Sequence, residues 1–325
     1  MPKVYYNSHA SDYVYAVIRE TLPTGFELVT LDNDDDEERK TKIRDCEVVI
    51  CAAYRLSATL VAAAAKLKLI HHQGVGYHDT IDIDAVKARR VPLAITPEGT
   101  DISVAEHTVM LMLAACRRLT FADAELRAGR FHINALRPVS RELNGMTIGY
   151  VGMGRIAQAV AQRLKAFATR GIYFDPFAVL NDETAARLLL HRVLTLDALL
   201  READIVTLHI PLTAETRHLI SSATIAAMKR GAILINTARG PIVDEKALAE
   251  ALQQGHLGAA GPSTVASGKP APAEQRAAGP SVHTANLIAP MSVLLGSRIV
   301  IRLWFDRPRR GNSFVPVERS SARKA

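Results

Sequence analysis

Two glycines and one carboxylate carry the most specific chemistry in this chain of 325 residues. Gly152 and Gly154 stand in the run Thr147-Ile148-Gly149-Tyr150-Val151-Gly152-Met153-Gly154-Arg155-Ile156-Ala157. The run reads as a buried strand, a glycine turn and a helix. Gly152 permits the tight turn. Gly154 lets a pyrophosphate approach the backbone, where free N–H groups and the helix dipole stabilise its charge. Ala157 occupies the place of a third glycine, a change this fingerprint tolerates. A second strand follows and ends in Asp175. An acid at that distance can accept a hydrogen bond from a ribose 2′-OH and repels a 2′-phosphate. The set predicts NAD as cofactor, against the plainer alternative of an ordinary glycine-rich turn.

Other reactive residues say less. His71 and His72 close a strand, and neighbours on a strand point to opposite faces. They cannot easily share an ion, so no metal is expected. Cys46, Cys51 and Cys116 have no metal-like spacing and read as reduced thiols, which predicts a cytoplasmic protein.

The elements around these residues alternate between strand and helix, as a parallel sheet requires. Strands are expected at 4–7, 47–51, 67–71, 91–95, 171–174, 205–208 and 232–235. Helices are expected at 11–22, after Ser57, and at 244–253. After the glycines, Ile156, Val160, Leu164 and Phe167 fall on one helical face. A single long helix is expected from Ser103 to about Ala128. An irregular arm from Arg130 to Leu143 offers Phe131, Ile133, Leu136 and Val139 without an evident partner. Residues 1–100 form one α/β unit, with 291–325 a possible return to it; residues 101–290 form the second.

Composition excludes several classes. No apolar run is long enough for a transmembrane helix, and the N-terminus lacks the regions of a signal peptide. The formal charge is +7, and nearly all of it lies between Arg298 and Ala325, where eight Lys/Arg face two Asp/Glu. No nucleic-acid motif accompanies that basic stretch, so neither nucleic acid nor membrane is an expected partner.

Several motifs, in order, resemble the D-isomer-specific 2-hydroxyacid dehydrogenases. They are Gly74-Val75-Gly76-Tyr77, Ser103-Val104-Ala105-Glu106-His107-Thr108, the fingerprint with Asp175, Leu208-His209-Ile210-Pro211-Leu212, and the stretch from Ile235 through Arg239 to Asp244. The likeness runs from about residue 45 to 261. It implies a Rossmann-type doubly wound sheet for NAD and a second, flavodoxin-like α/β domain for substrate. It also implies a homodimer, and hydride transfer between nicotinamide and C2 of a small 2-keto or 2-hydroxy acid.

Residue roles follow from the resemblance. Arg239 holds the substrate carboxylate and polarises its carbonyl; a guanidinium is always charged and offers a planar fork of donors. The backbone amides of Val75 and Gly76 form a small anion nest, or the segment is a plain tight turn. Tyr54, by its place after the strand that ends at Cys51 rather than by the resemblance, lines the substrate pocket or simply packs. The cofactor contacts implied are Gly152, Gly154, Arg155, Ile156 and Asp175, then His209, Pro211, Thr237, Ala238 and Arg239. His209 is a lone histidine, and such residues are often ordinary polar groups.

The resemblance stops after Gly261. Ser263 stands where the family has Asp, Gly268 where it has the acid paired with the catalytic His, and Met291 in place of that His. A thioether donates no proton. His283 is the one histidine nearby and is the candidate proton donor. Three readings follow: a divergent working end that uses His283, an NAD-binding pseudoenzyme or interaction module, or a change of reading frame near Gly261.

Overall fold

The computed structural model describes residues 1–52, 54–74, 76–96 and 101–262, apart from the side chains of Ile133 and Pro262. Two compact units meet in the chain between Thr100 and Asp101.

The first unit strings together β1 (Lys3–Tyr6), α1 (Asp12–Thr21), β2 (Glu27–Val29), α2 (Asp36–Ile43) and β3 (Val48–Cys51). It continues with α3 (Ala58–Ala63), β4 (Leu69–His72), α4 (Ile83–Ala88) and β5 (Leu93–Ile95). The sheet order is β2-β1-β3-β4-β5, and every pairing is parallel. This is the flavodoxin-like winding. One face packs Tyr5, Val49 and Ile70 under α2, α3 and α4, and the other packs Val4, Ile50 and Leu69 against α1. Strands covered on both faces need unbroken apolar runs, and β3 is buried along its whole length.

The second unit opens with α5 (Asp101–Cys116), α6 (Leu119–Arg127) and α7 (Ile133–Leu136). Then come β6 (Thr147–Val151), α8 (Arg155–Leu164), β7 (Arg170–Phe174), α9 (Asp182–Leu188), β8 (Leu190–Arg192) and α10 (Leu196–Glu202). The remainder is β9 (Ile205–Leu208), α11 (Ser222–Ala226), β10 (Ala232–Asn236), α12 (Glu245–Gln253) and β11 (Leu257–Pro262). The order is β11-β10-β9-β6-β7-β8, again parallel throughout. Chain direction across the sheet reverses between β6 and β9. That reversal opens a crevice at the strands' carboxyl ends, where such sheets place ligands. Leu111, Met112, Val160 and Leu164 cover one face; Leu199, Ile225 and Leu252 cover the other.

Helix starts are marked by side chains that accept first-turn amides. Asp35, Ser57, Asp82, Asn181, Thr195 and Asp244 each do so. The expected single helix from Ser103 to Ala128 is corrected to two. Arg118 adopts φ +49°, which ends α5 and starts α6. A left-handed arginine is costly and carries no sequence mark of the kind glycine or proline leaves. The arm after it is not wholly irregular, because it contains the one-turn α7.

No helix among the described residues is long and apolar enough to cross a membrane.

Candidate active site

The glycine turn joins β6 to α8 at the reversal point of the second sheet. Gly152 has φ +88°, and a Cβ there would stand 2.7 Å from both the His209 carbonyl oxygen and Ile210 Cγ2. Only glycine allows the turn to press against the segment after β9. Gly154 differs. It caps α8 in an extended conformation with no side-chain cap, and a Cβ there would meet nothing within 4 Å. The N-terminus of α8 is therefore bare of side chain at its cap, as close approach of a pyrophosphate to the backbone requires. Ala157, Val160, Ala161 and Leu164 bury the opposite face of α8 and hold its N-terminus in place.

Asp175 follows β7. Its Oδ2 accepts from the Met153 N–H at 2.9 Å, and its Oδ1 accepts from Phe177 and Ala178 at 2.8 and 2.9 Å. A carboxylate accepts more than three hydrogen bonds, so capacity remains for a ribose hydroxyl. Arg192, at the end of β8, donates to the Asp175 carbonyl at 3.2 Å. Arg155 pairs with Asp101 at 3.4 Å, at the other side of the turn.

His209 lies just past β9. Its Nε2 is 3.0 Å from Thr207 Oγ1, and its ring stacks over Tyr150 at 6.4 Å. Desolvation by burial pushes its pKa down to about 3, so the ring stays neutral at physiological pH. Pro211 continues this loop, and its carbonyl accepts from Thr216 at 2.7 Å.

The turn after β10 carries Thr237, Ala238 and Arg239. Asn236, the last residue of the strand, takes the Ala238 N–H on its Oδ1 at 3.1 Å and donates from Nδ2 to the Arg239 carbonyl at 2.8 Å. Thr237 meets Thr108 of α5 at 3.0 Å between hydroxyls. Arg239 Nη1 donates to the Ala238 carbonyl at 3.0 Å. The carboxyl ends of β6, β7, β9 and β10 thus carry a glycine turn, a carboxylate, a neutral imidazole and a guanidinium within one unit. These residues fit a dinucleotide.

A model of the NAD binding domain of the D-isomer specific 2-hydroxyacid dehydrogenases matches residues 109–288. The chain belongs to this family. The hydroxypyruvate reductase of Thermotoga maritima is 36% identical over 258 residues, covering 79% of this chain and 81% of that protein. The D-3-phosphoglycerate dehydrogenase of Methanocaldococcus jannaschii is 40% identical over 225 residues, covering 69% of this chain but 42% of that protein. The chain spans less than half the length of the D-3-phosphoglycerate dehydrogenases it matches. The NAD-dependent formate dehydrogenase of Staphylococcus aureus, solved with NAD, superposes with a TM-score of 0.79 at 27% identity, covering 94% of this chain and 96% of that one. The cofactor of this dehydrogenase family is NAD, and the second unit is built to hold it.

The remaining candidates lie in the first unit. Tyr54 follows β3; its hydroxyl donates to Asp36 Oδ1, and the Arg39 guanidinium lies 3.5 Å from its ring centroid. Gly76 follows β4, and its carbonyl accepts from Thr80 Oγ1 at 3.3 Å. Val75 and His283 lie outside the described residues, as do Ser263, Gly268 and Met291. His71 and His72 are both buried in β4, and His71 Nε2 meets Thr96 Oγ1 at 2.7 Å. Among the described residues, no group of three or more His, Cys, Asp or Glu could hold a metal ion. Sequence reasoning assigned no role to Asn236, Thr108 or Arg192. The first two stand inside quoted motifs, which mark their places but not their partners; Arg192 stands in none.

Proposed function

We propose that this chain is an NAD-dependent oxidoreductase that works on C2 of a small 2-keto or 2-hydroxy acid. The observation that carries the reading is the Arg239 turn, presented at the carboxyl end of β10 in the same unit as the Gly154 cradle. Bound NAD supplies the hydride acceptor, and NADH the donor. Arg239 binds the substrate carboxylate and draws electron density from the carbonyl oxygen, because a guanidinium pairs with carboxylates through parallel hydrogen bonds. Gly154, Arg155 and Ile156 hold the pyrophosphate through backbone amides, and Asp175 takes the ribose hydroxyl. His209, Pro211, Thr237 and Ala238 border the coenzyme.

The first unit acts as the substrate domain, with Tyr54, Val75 and Gly76 contributing to the acid's pocket. Relatives named for hydroxypyruvate and glyoxylate reduction make those two acids the first to test. His283 is the candidate proton donor. Three cysteines without disulfides support a cytoplasmic setting.

We also propose a homodimer. An apolar groove of about 760 Å³ lies along α5 and α8, lined by Val109, Met110, Leu113, Leu119, Ala166 and Phe167. Beyond it, Phe121 is 45% exposed and Phe131 is 76% exposed, while Leu136 is half-buried. A second copy of the chain would cover these groups.

A second reading rests on Ser263, Gly268 and Met291 at the family's acid and histidine positions. It makes the chain an NAD-binding interaction module. One assay separates the two: NADH consumption with glyoxylate, hydroxypyruvate and pyruvate. Steady turnover abolished by Arg239→Ala supports the enzyme. NADH binding without turnover supports the module. Removal of a positioned acid–base group costs about 10²–10⁴-fold in rate, so slow turnover is expected.

A further inference from the structure

Two buried polar residues outside the expected site converge on one three-residue turn. Asn236 is 3% exposed and Thr108 is fully buried. Buried polar groups are retained at a desolvation cost, and here each spends its hydrogen bonds on the turn that carries Arg239 or on its support.

We propose that Asn236 and Thr108 are positioning residues that set the direction of the Arg239 side chain. The inference rests on the reading of Arg239 as the substrate clamp. The Asn236 amide bridges the turn from inside, taking the Ala238 N–H and giving to the Arg239 carbonyl. Its orientation is dictated by those partners, since an N–H must meet the amide oxygen and a carbonyl must meet the NH₂. The Arg239 carbonyl also accepts from the Ile242 N–H at 3.2 Å, so both sides of the Arg239 peptide are held. Thr108 supplies the second brace. Its hydroxyl donates to the Val104 carbonyl at 2.7 Å, leaving its oxygen to accept from Thr237 at 3.0 Å. The turn is thereby fastened to α5, a helix that packs on β10. A guanidinium at the end of a flexible stem aims well only if its Cα–Cβ bond is fixed, and Asn236 and Thr108 fix it from two directions.

Isosteric changes test this. Thr108→Val keeps shape and removes the hydroxyl; Thr108→Ser restores it. Asn236→Asp sets an oxygen against the Arg239 carbonyl. The probes are oxamate, a non-reducible analogue of pyruvate, titrated calorimetrically into the NADH complex, and NADH itself by fluorescence. Thr108→Val and Asn236→Asp are expected to weaken oxamate about tenfold while NADH affinity moves by less than about threefold. Thr108→Ser is expected to bind oxamate as the parent does. Parent-like oxamate binding by Thr108→Val overturns the proposal, as does an equal loss of NADH and oxamate. Should Asn236→Asp fail to fold, the Thr108 pair still decides. Arg239→Ala separates the two levels. If it leaves oxamate binding intact, or if the parent binds none, the Arg239 reading fails and the positioning role with it. If it weakens binding while Thr108→Val does not, only the positioning role fails.

Discussion

The carboxylate of Asp175 is hydrogen-bonded to the backbone N–H of Met153 at 2.9 Å, so the acid at the end of β7 braces the glycine turn after β6. Two further amides, from Phe177 and Ala178, keep that carboxylate from swinging away. A 2′-phosphate would meet a fixed negative charge rather than one that can retreat.

The parent chain is therefore expected to bind NADH more tightly than NADPH. Asp175→Ala should narrow the preference chiefly by weakening NADH, by about tenfold, because the variant loses both the ribose acceptor and the Met153 brace. Nicotinamide fluorescence titrations check it. Equal affinity of the parent for the two coenzymes would refute the assignment.

Gly152 and Gly154 should fail differently. Gly152→Ala forces a Cβ against the His209 carbonyl at positive φ, which should cost about 2 kcal/mol or more of stability. Gly154→Ala meets open space at φ −75°, so its melting temperature should stay near the parent's while NADH binding drops. A large fall in the melting temperature of Gly154→Ala would contradict the cradle.

Acid should destabilise the fold before most carboxylates titrate. Burial lowers the His71 pKa from 6.5 to about 4. The native state then binds the proton less readily than the unfolded chain. Stability is full above pH 6.5 and falls as pH drops toward 4, by roughly 3 kcal/mol for this residue. Urea midpoints at pH 7, 6 and 5 should decline in step. His209, lowered to about 3, adds to the same fall, so His71→Gln should make the slope between pH 6.5 and 5 shallower without abolishing it, and an unchanged slope would refute the His71 contribution.

The three thiols should be inert in the native protein. All are buried, and desolvation pushes Cys46 and Cys116 up to about 11 and Cys51 higher still. Thiolate is the reactive form. A disulfide reagent at pH 8 should label none within minutes and all three in denaturant. Rapid labelling of any native thiol would disprove it.

Self-association should run through the groove along α5 and α8. Light scattering at micromolar concentration should give twice the chain mass, and Met110→Glu should give a monomer. A monomeric parent would end the proposal.

The glycine turn was legible because its constraints are local: Gly152 needs a backbone conformation, and Asp175 a fixed distance from it. Buried strands such as β9 and β10 were legible through their apolar runs. The helix break at Arg118 was not, since no residue type announces it. Nor were β2 and β8, which are three-residue edges too short to show a strand's alternating pattern. At the candidate site, Arg239 was singled out by the family resemblance, and it stands just past β10 as that resemblance implies. The roles of Asn236 and Thr108 were not legible, because a hydrogen bond spanning residues 108 and 237 exists only after α5 docks on the sheet.

Those short edges have a consequence for behaviour in a crowded solution. An open parallel sheet offers its outermost strand as a template for foreign chains. In β8, His191 and Arg192 are exposed, and in β2 the exposed Glu27 pairs with Lys3 at 3.8 Å. Three residues tipped with charge give an incoming strand little ladder to copy. At these two edges, blunt rims of this kind disfavour fibril-like stacking.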